Sequence, residues 1–189
     1  MDQNWEDLEK ECKRCTKCDL FKLRTNVVFG QGNYKSEILF VGEGPGENED
    51  LQGKPFVGRS GKLLDEMLKK INLSRDKNFY IANIVKCRPP QNRDPSPQEQ
   101  EICIDWLRWQ VRLMKPKIIV ALGRIAAMRI IDSNIRITID HGKFIIKKGI
   151  WMMATLHPAA ILRNMTKKSD SEEDFLKLDT KIKEIGIKI

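Results

Sequence analysis

Apolar residues recur along this chain with two different periods. Short apolar runs read as strands: residues 37–42 (EILFVG), 79–85 (FYIANIV), 117–122 (KIIVAL), and a closing pair at 143–148 and 150–155. Between them the spacing turns helical. In residues 59–71, Leu63, Leu64, Met67, Leu68 and Ile71 recur every three or four positions; in residues 98–114, Ile102, Trp106, Trp109 and Leu113 form one stripe. Further helices are expected over residues 3–12, 124–131 and 175–187, and from His157-Pro158 onward. Residues 23–34 read as a short strand and a turn, 86–97 (KCRPPQNRDPSP) as a proline-rich loop, and 164–174 (NMTKKSDSEED) as a mobile, solvated loop.

Strands alternating with helices predict an α/β fold, with helices on both faces of a parallel sheet. The expectation is a three-layer α/β/α sandwich around a central, mainly parallel four-stranded sheet, with residues 1–189 forming one domain. No repeat or linker interrupts it. In such sheets ligands bind beyond the C-terminal strand ends. The first strand ends in Gly42-Glu43-Gly44-Pro45-Gly46, the second delivers Asn83, and the last delivers His157. The architecture would gather these distant residues in one crevice.

Composition narrows the partners. Lys and Arg total 34 against 26 Asp and Glu, a net charge of +8, which favours a polyanionic partner. The charged start MDQNWEDLEK is unlike a secretory signal, and no apolar run reaches the length of a membrane span, so a cytoplasmic protein is expected.

Four of the five cysteines form two pairs, Cys15 with Cys18 as C-x2-C and Cys87 with Cys103 far downstream. Four thiolates suit a tetrahedral zinc or an iron–sulfur cluster. Buried inert thiols are the plainer alternative, although Arg14, Lys17 and Asp19 make the first pair's surroundings too polar for a core segment. Cys12 adds a further x2 step and leaves open which N-terminal thiols ligate.

The glycine loop fits no phosphate-binding pattern. Gly61-Lys62 is followed by Leu63 rather than Ser or Thr, the residue three after Gly44 is Glu47, and Glu43, Glu47, Glu49 and Asp50 would repel a phosphate. Close backbone approach to a small ligand, or a plain turn, remains. Asn83 on an apolar strand either bonds to a neighbouring loop or reads a planar polar ligand. Phe56, on a loop after Gly-Lys-Pro, could stack on a ring.

These motifs together resemble the family 4 uracil-DNA glycosylases, the thermostable iron–sulfur type. GEGPGENEDLQGKPFVGRSGKLL (Gly42–Leu64) is similar to the family's first motif and its extension, NIVKCRPPQNRDPSP (Asn83–Pro97) to its second signature, and HPAAILRN (His157–Asn164) to its third. The resemblance implies a 4Fe–4S cluster on Cys15, Cys18, Cys87 and Cys103, with Cys12 a spare thiol. It implies a uracil pocket floored by the backbone of Gly42, Glu43 and Gly44. Phe56 would stack on the base, Asn83 would read its edge, and His157 would bond to O2. Leu162 and Arg163 would lie at the DNA, Leu162 as a wedge. Where the family 1 enzymes carry an aspartate in their first motif this chain has Gly44, which leaves Glu43 and Glu49 as candidates to position water or stabilise the sugar cation. Only three residues separate Asn83 from Cys87, with no histidine nearby, which argues against covalent capture of the base. The expected partner is uracil-containing DNA, with a sliding clamp or other repair proteins named as further partners and the chain a monomer. Two alternatives stand beside this reading: a non-catalytic iron–sulfur nucleic-acid-binding module such as a polymerase accessory protein, and a zinc-stapled nucleotide-binding protein.

Overall fold

In a computed structural model, which describes residues 4–189, the apolar runs become a sheet in the spatial order β1-β3-β2-β4-β6-β5. The strands are β1 (Gln31–Gly32), β2 (Ile38–Gly42), β3 (Tyr80–Asn83), β4 (Ile118–Leu122), β5 (Phe144–Lys147) and β6 (Ile150–Thr155). The sheet therefore has six strands, not the four expected. Its four central strands are all parallel, and the added edges β1 and β5 are antiparallel. The two extra strands fall in segments the sequence marks as strands, 23–34 and 143–148, but they join the edges rather than the parallel core: β1 is only two residues long, and β5 is the hairpin partner of β6.

β2 and β4 are fully buried, so their side chains alternate between two covered faces. Leu39, Val41, Ile119 and Ala121 point to one apolar core, and Ile38, Phe40, Ile118 and Val120 to the other. The first core is closed by α1 (Trp5–Lys13), α4 (Pro97–Met114) and α5 (Arg124–Ile130); the second by α3 (Arg59–Lys69), α7 (Pro158–Arg163) and α8 (Lys168–Glu184). Two short helices, α2 (Glu47–Gln52) and α6 (Ile137–Asp140), complete the chain. The three layers agree with expectation.

Local chemistry sets the ends. The Asn4 side chain caps α1 by accepting from the Asp7 amide at 2.9 Å. The expected 3–12 helix thus starts two residues late, and residue 3 lies outside the described residues. Ser96 and Glu99 form a reciprocal capping box on α4, with Pro97 in its first turn. The buried side of α4 is Cys103, Ile104, Trp106, Leu107, Gln110 and Met114. Of the expected stripe only Trp106 is buried, while Ile102, Trp109 and Leu113 are half-buried.

The largest departure lies in residues 164–174, expected as a solvated loop. They form a 3-10 turn at Met165–Lys167 and the first turns of α8. Two of the polar residues that suggested solvent are in fact fully buried, Ser171 and Asp174. Asp174 accepts a 2.7 Å hydrogen bond from Thr155 Oγ1 and meets His141 Nδ1 at 2.9 Å. This polar set ties α8 to the end of β6. No helix among the described residues is long and apolar enough to cross a membrane.

Candidate active site

The parallel register places the ends of β2 and β3 side by side, with Gly42 opposite Asn83. A Cβ on Gly42 would stand 2.4 Å from Asn83 Oδ1 and 2.6 Å from the Phe56 ring, so only glycine lets these two groups converge. Beyond β4, Gly123 has φ +89°, and a Cβ there would lie 2.7 Å from the His157 Cβ. Phe56 and His157 face each other with ring centroids 5.8 Å apart.

Asn83, Phe56, Gly123 and His157 line one cavity of about 520 Å³ together with Glu43, Gly44 and Glu49. That volume falls within the range of small-molecule sites, roughly 300–1,000 Å³. The crevice expected at three strand ends is present. Of the expected residues, Arg163 also lines it. Gly42 stands behind it, its backbone against Asn83 and Phe56. Leu162 does not line the cavity; it is half-buried and leans on the α3/α7/α8 core. Met165, just beyond α7, is an exposed apolar side chain.

Asn83 is 1% exposed, and its Oδ1 is the one buried side-chain oxygen or nitrogen among the described residues without a hydrogen-bond partner. An orphaned acceptor of this kind costs about 1–3 kcal/mol, which a ligand's N–H would recover.

Phe56 sits at φ +53°, a left-handed conformation uncommon for a non-glycine residue. Two neighbours hold it there. Buried Arg75 donates to the carbonyls of Pro55 (2.6 Å) and Phe56 (2.7 Å) and pairs with Asp65. Glu49 Oε1 accepts from the amides of Val57 and Gly58, each at 2.9 Å. Arg75 carried no signal in the sequence, because its role depends on contacts with segments distant along the chain.

His157 Nδ1 accepts from the Ala159 amide at 3.2 Å, which leaves Nε2 carrying the proton. Burial, helped by Arg163, pushes its pKa down to about 4, so the ring is a neutral donor at pH 7. Glu43 behaves oppositely: burial, reinforced by Asp94 and opposed by Arg124, raises its pKa to about 7. The rim is basic, with Arg93, Arg124, Arg163 and Lys167, although Arg124 pairs with Asp94 at 2.8 Å and Arg93 with Glu99.

A second pocket, on the α1/α4 side, is lined by all five cysteines together with Arg24 and Lys86. The cysteines are free thiols. Arg24 Nη1 donates to Cys87 Sγ at 3.2 Å and to the Cys15 carbonyl at 2.7 Å, and the Lys86 amide donates to Cys103 Sγ at 3.3 Å. Burial pushes the Cys103 thiol up to about 12 and also raises Cys12, Cys18 and Cys87, with Arg24 pulling Cys87 back down. Among the described residues no three His, Cys, Asp or Glu side chains come together as ligands for one metal ion. Cys12 is fully buried in the core beside the other thiols.

Residues 29–179 match the family model of the uracil DNA glycosylase superfamily. The chain belongs to this superfamily. Its relatives include the type-4 uracil-DNA glycosylase of Archaeoglobus fulgidus, 45% identical over 93% of this chain and 92% of that protein. The type-4 uracil-DNA glycosylase of Thermotoga maritima is 46% identical over 84% of this chain and 83% of its own. A type-5 uracil-DNA glycosylase of Thermus thermophilus is more distant, 34% identical over 52% of this chain and 51% of that protein. The superfamily match spans both the strand-end cavity and the downstream cysteines.

Proposed function

We infer that this chain is a uracil-DNA glycosylase: it takes deoxyuridine out of the DNA stack, hydrolyses its N-glycosidic bond, and leaves an abasic site that starts base excision repair. The observation that carries this reading is the unpartnered Asn83 Oδ1, buried at the wall of a cavity shared with Phe56 and His157. A flipped base needs a stacking face and a directional edge reader. Phe56 supplies the face. Asn83 Oδ1 accepts from uracil N3–H while its amide N–H donates to O4, and cytosine presents the reverse pattern.

Cleavage releases uracil as an anion. Nε2 of neutral His157 donates to O2 and stabilises the growing charge, in the manner of an oxyanion hole. Glu43 carries a carboxyl with no side-chain hydrogen bond among the described residues, and it is the group available to orient the attacking water or oppose the sugar's positive charge. Glu49 lines the same cavity and spends Oε1 on the Val57 and Gly58 amides, so its part is to hold the Phe56 loop. Arg163 and the neighbouring basic rim would meet phosphates.

Cys15, Cys18, Cys87 and Cys103 would hold a 4Fe–4S cluster. The donor set supports this: these four thiols line one pocket together with Cys12, and N–H donors from Arg24 and Lys86 are aimed at two of the sulfurs. Bound there, the cluster serves as a staple that closes the long loops between the cysteine pairs.

The test is release of free uracil from a uracil-containing oligonucleotide by purified holoprotein. The expected result is uracil plus an abasic site, with no base released from matched cytosine or thymine strands. Binding without release would overturn the enzyme reading in favour of a non-catalytic binding module. Iron and sulfide analysis with visible absorbance tests the cluster.

A further inference from the structure

Lys86 is 1% exposed, yet it carries a side-chain ammonium. Its Nζ donates to the main-chain carbonyl of Asn83 at 3.0 Å and to Gln110 Oε1 at 2.7 Å. Gln110 is itself fully buried and donates from Nε2 to the Phe29 carbonyl at 3.0 Å, which turns its oxygen toward Lys86. The Lys86 backbone is pinned as well, its carbonyl accepting from the Val28 amide at 2.8 Å and its amide donating to Cys103 Sγ. No carboxylate joins this arrangement. Lys86 also lines the pocket that the five cysteines line. Besides these two neutral oxygens the ammonium meets, among the described residues, only the Phe29 ring, 5.9 Å from Nζ; a buried cation without a counter-charge is strongly penalised, and it persists where an anion compensates it.

We propose that Lys86 is a positioning residue shared by the two sites: its ammonium balances the negative charge of the thiolate-bound cluster and, by holding the Asn83 carbonyl, fixes the amide that reads the base. The proposal rests on the cluster reading above. The two sites lie on opposite sides of the Asn83–Cys87 segment. A lysine here can reach back to the strand end while its own amide faces a cysteine sulfur. An arginine or glutamine would not match a single compact donor placed between two carbonyl oxygens.

The test compares holoprotein carrying Lys86→Met with wild type in two measurements. One is the reduction potential of the protein-bound cluster. The other is single-turnover uracil release alongside DNA affinity. Losing the cation should move the potential to more negative values, because the reduced, more negative state loses its counter-charge. Single-turnover release should slow on the order of 10-fold or more, as the scale for a misplaced hydrogen-bonding group suggests, with DNA affinity unchanged within about two-fold. A merely structural lysine would not shift the potential. Should Lys86→Met fail to fold or load iron, Gln110→Glu decides the charge balance. It places a carboxylate against the ammonium, at the expense of the bond to Phe29, and cancels the cation's field. Its potential should also move negative, and an unmoved potential overturns the counter-charge role. Lys86→Met with iron bound, potential unshifted and release within two-fold of wild type overturns the whole proposal. A shifted potential with unchanged release overturns the link to Asn83. Wild type without iron would instead sink the cluster reading, whatever the lysine variants do.

Discussion

Glu43 gives the active-site reading its sharpest pH test. Its pKa stands at about 7 rather than the ordinary 4.5, because burial disfavours the carboxylate, Asp94 adds repulsion, and Arg124 only partly offsets both. If the carboxylate is the working form, only roughly 3% of it is present at pH 5.5 and nearly all at pH 8.5, so the rate should fall about 30-fold between them. The assay is single-turnover uracil release at saturating enzyme, which separates chemistry from DNA binding. His157 cannot produce this inflection, since its pKa lies near 4. Neighbours should move the inflection predictably. Arg124→Met removes the cation that lowers the value and shifts the inflection to higher pH. Asp94→Asn removes repulsion, frees Arg124, and shifts it lower. Stability runs the other way. A carboxyl whose folded pKa is raised costs nothing below its unfolded value and its full penalty above the folded one, so the penalty grows as pH rises from about 4.5 to about 7. Glu43→Gln should therefore raise Tm at pH 8, leave it unchanged at pH 4, and lower activity at pH 8. A rate flat from pH 5 to 8.5, or an inflection that ignores Arg124→Met, would refute the assignment.

Four further outcomes are expected. Asn83→Asp should cut uracil release on the order of 10²-fold, the scale for losing one preorganised donor, and gain a trace of activity on cytosine; paired uracil and cytosine strands measure both. Gly42→Ala should abolish release while the protein still folds, because the added methyl lies within contact of Asn83 and Phe56; near-normal release would show that the pocket tolerates it. Cys87→Ala should lose iron and melt earlier, while Cys12→Ala should keep its iron content and lose only packing; loss of iron on Cys12 replacement alone would reverse the ligand assignment. DNA affinity should fall with salt at a log–log slope of roughly −0.9 per phosphate neutralised, and Arg163→Ala should weaken uracil-containing and ordinary DNA alike.

The parallel sheet and the site were legible for one shared reason. Strands buried on both faces write themselves as continuous apolar runs, and their C-terminal ends converge wherever the fold is parallel. That is why Glu43, Asn83 and His157 could be placed together from residues far apart in the chain. The features that escaped depend on partners at long range. Arg75 looks like any surface arginine until Pro55 and Phe56 offer it their carbonyls. Asp174 sits in a charge-rich stretch typical of solvated loops, and only Thr155 and His141 turn it into a buried anchor. Leu162 is half-buried against the α3/α7/α8 core, and its neighbour Arg163 lines the cavity, an arrangement set by the helical turn rather than by the motif's letters.

Around the cavity the fold breaks its own rules, and the departures share a direction. Asn83 keeps a buried acceptor without a partner, Phe56 is held in a left-handed backbone conformation, and Glu43 is buried enough to lose its easy ionisation. Each of these costs stability, of order 1–3 kcal/mol for the first two. Elsewhere the same protein gives buried polar groups partners, as the Gln110–Phe29 and Asp174–Thr155 hydrogen bonds show. A buried acceptor left open in the cavity wall is what a site complementary to a ligand requires. A planar base bearing an N–H donor between two carbonyls would supply the proton Asn83 lacks and a face for Phe56. Its departing anion would accept the hydrogen bond that neutral His157 offers from Nε2–H. A cavity kept only for packing would gain nothing from those costs, so substitutions that remove them, Asn83→Leu or Glu43→Gln, should stabilise the fold while ending or impairing the chemistry.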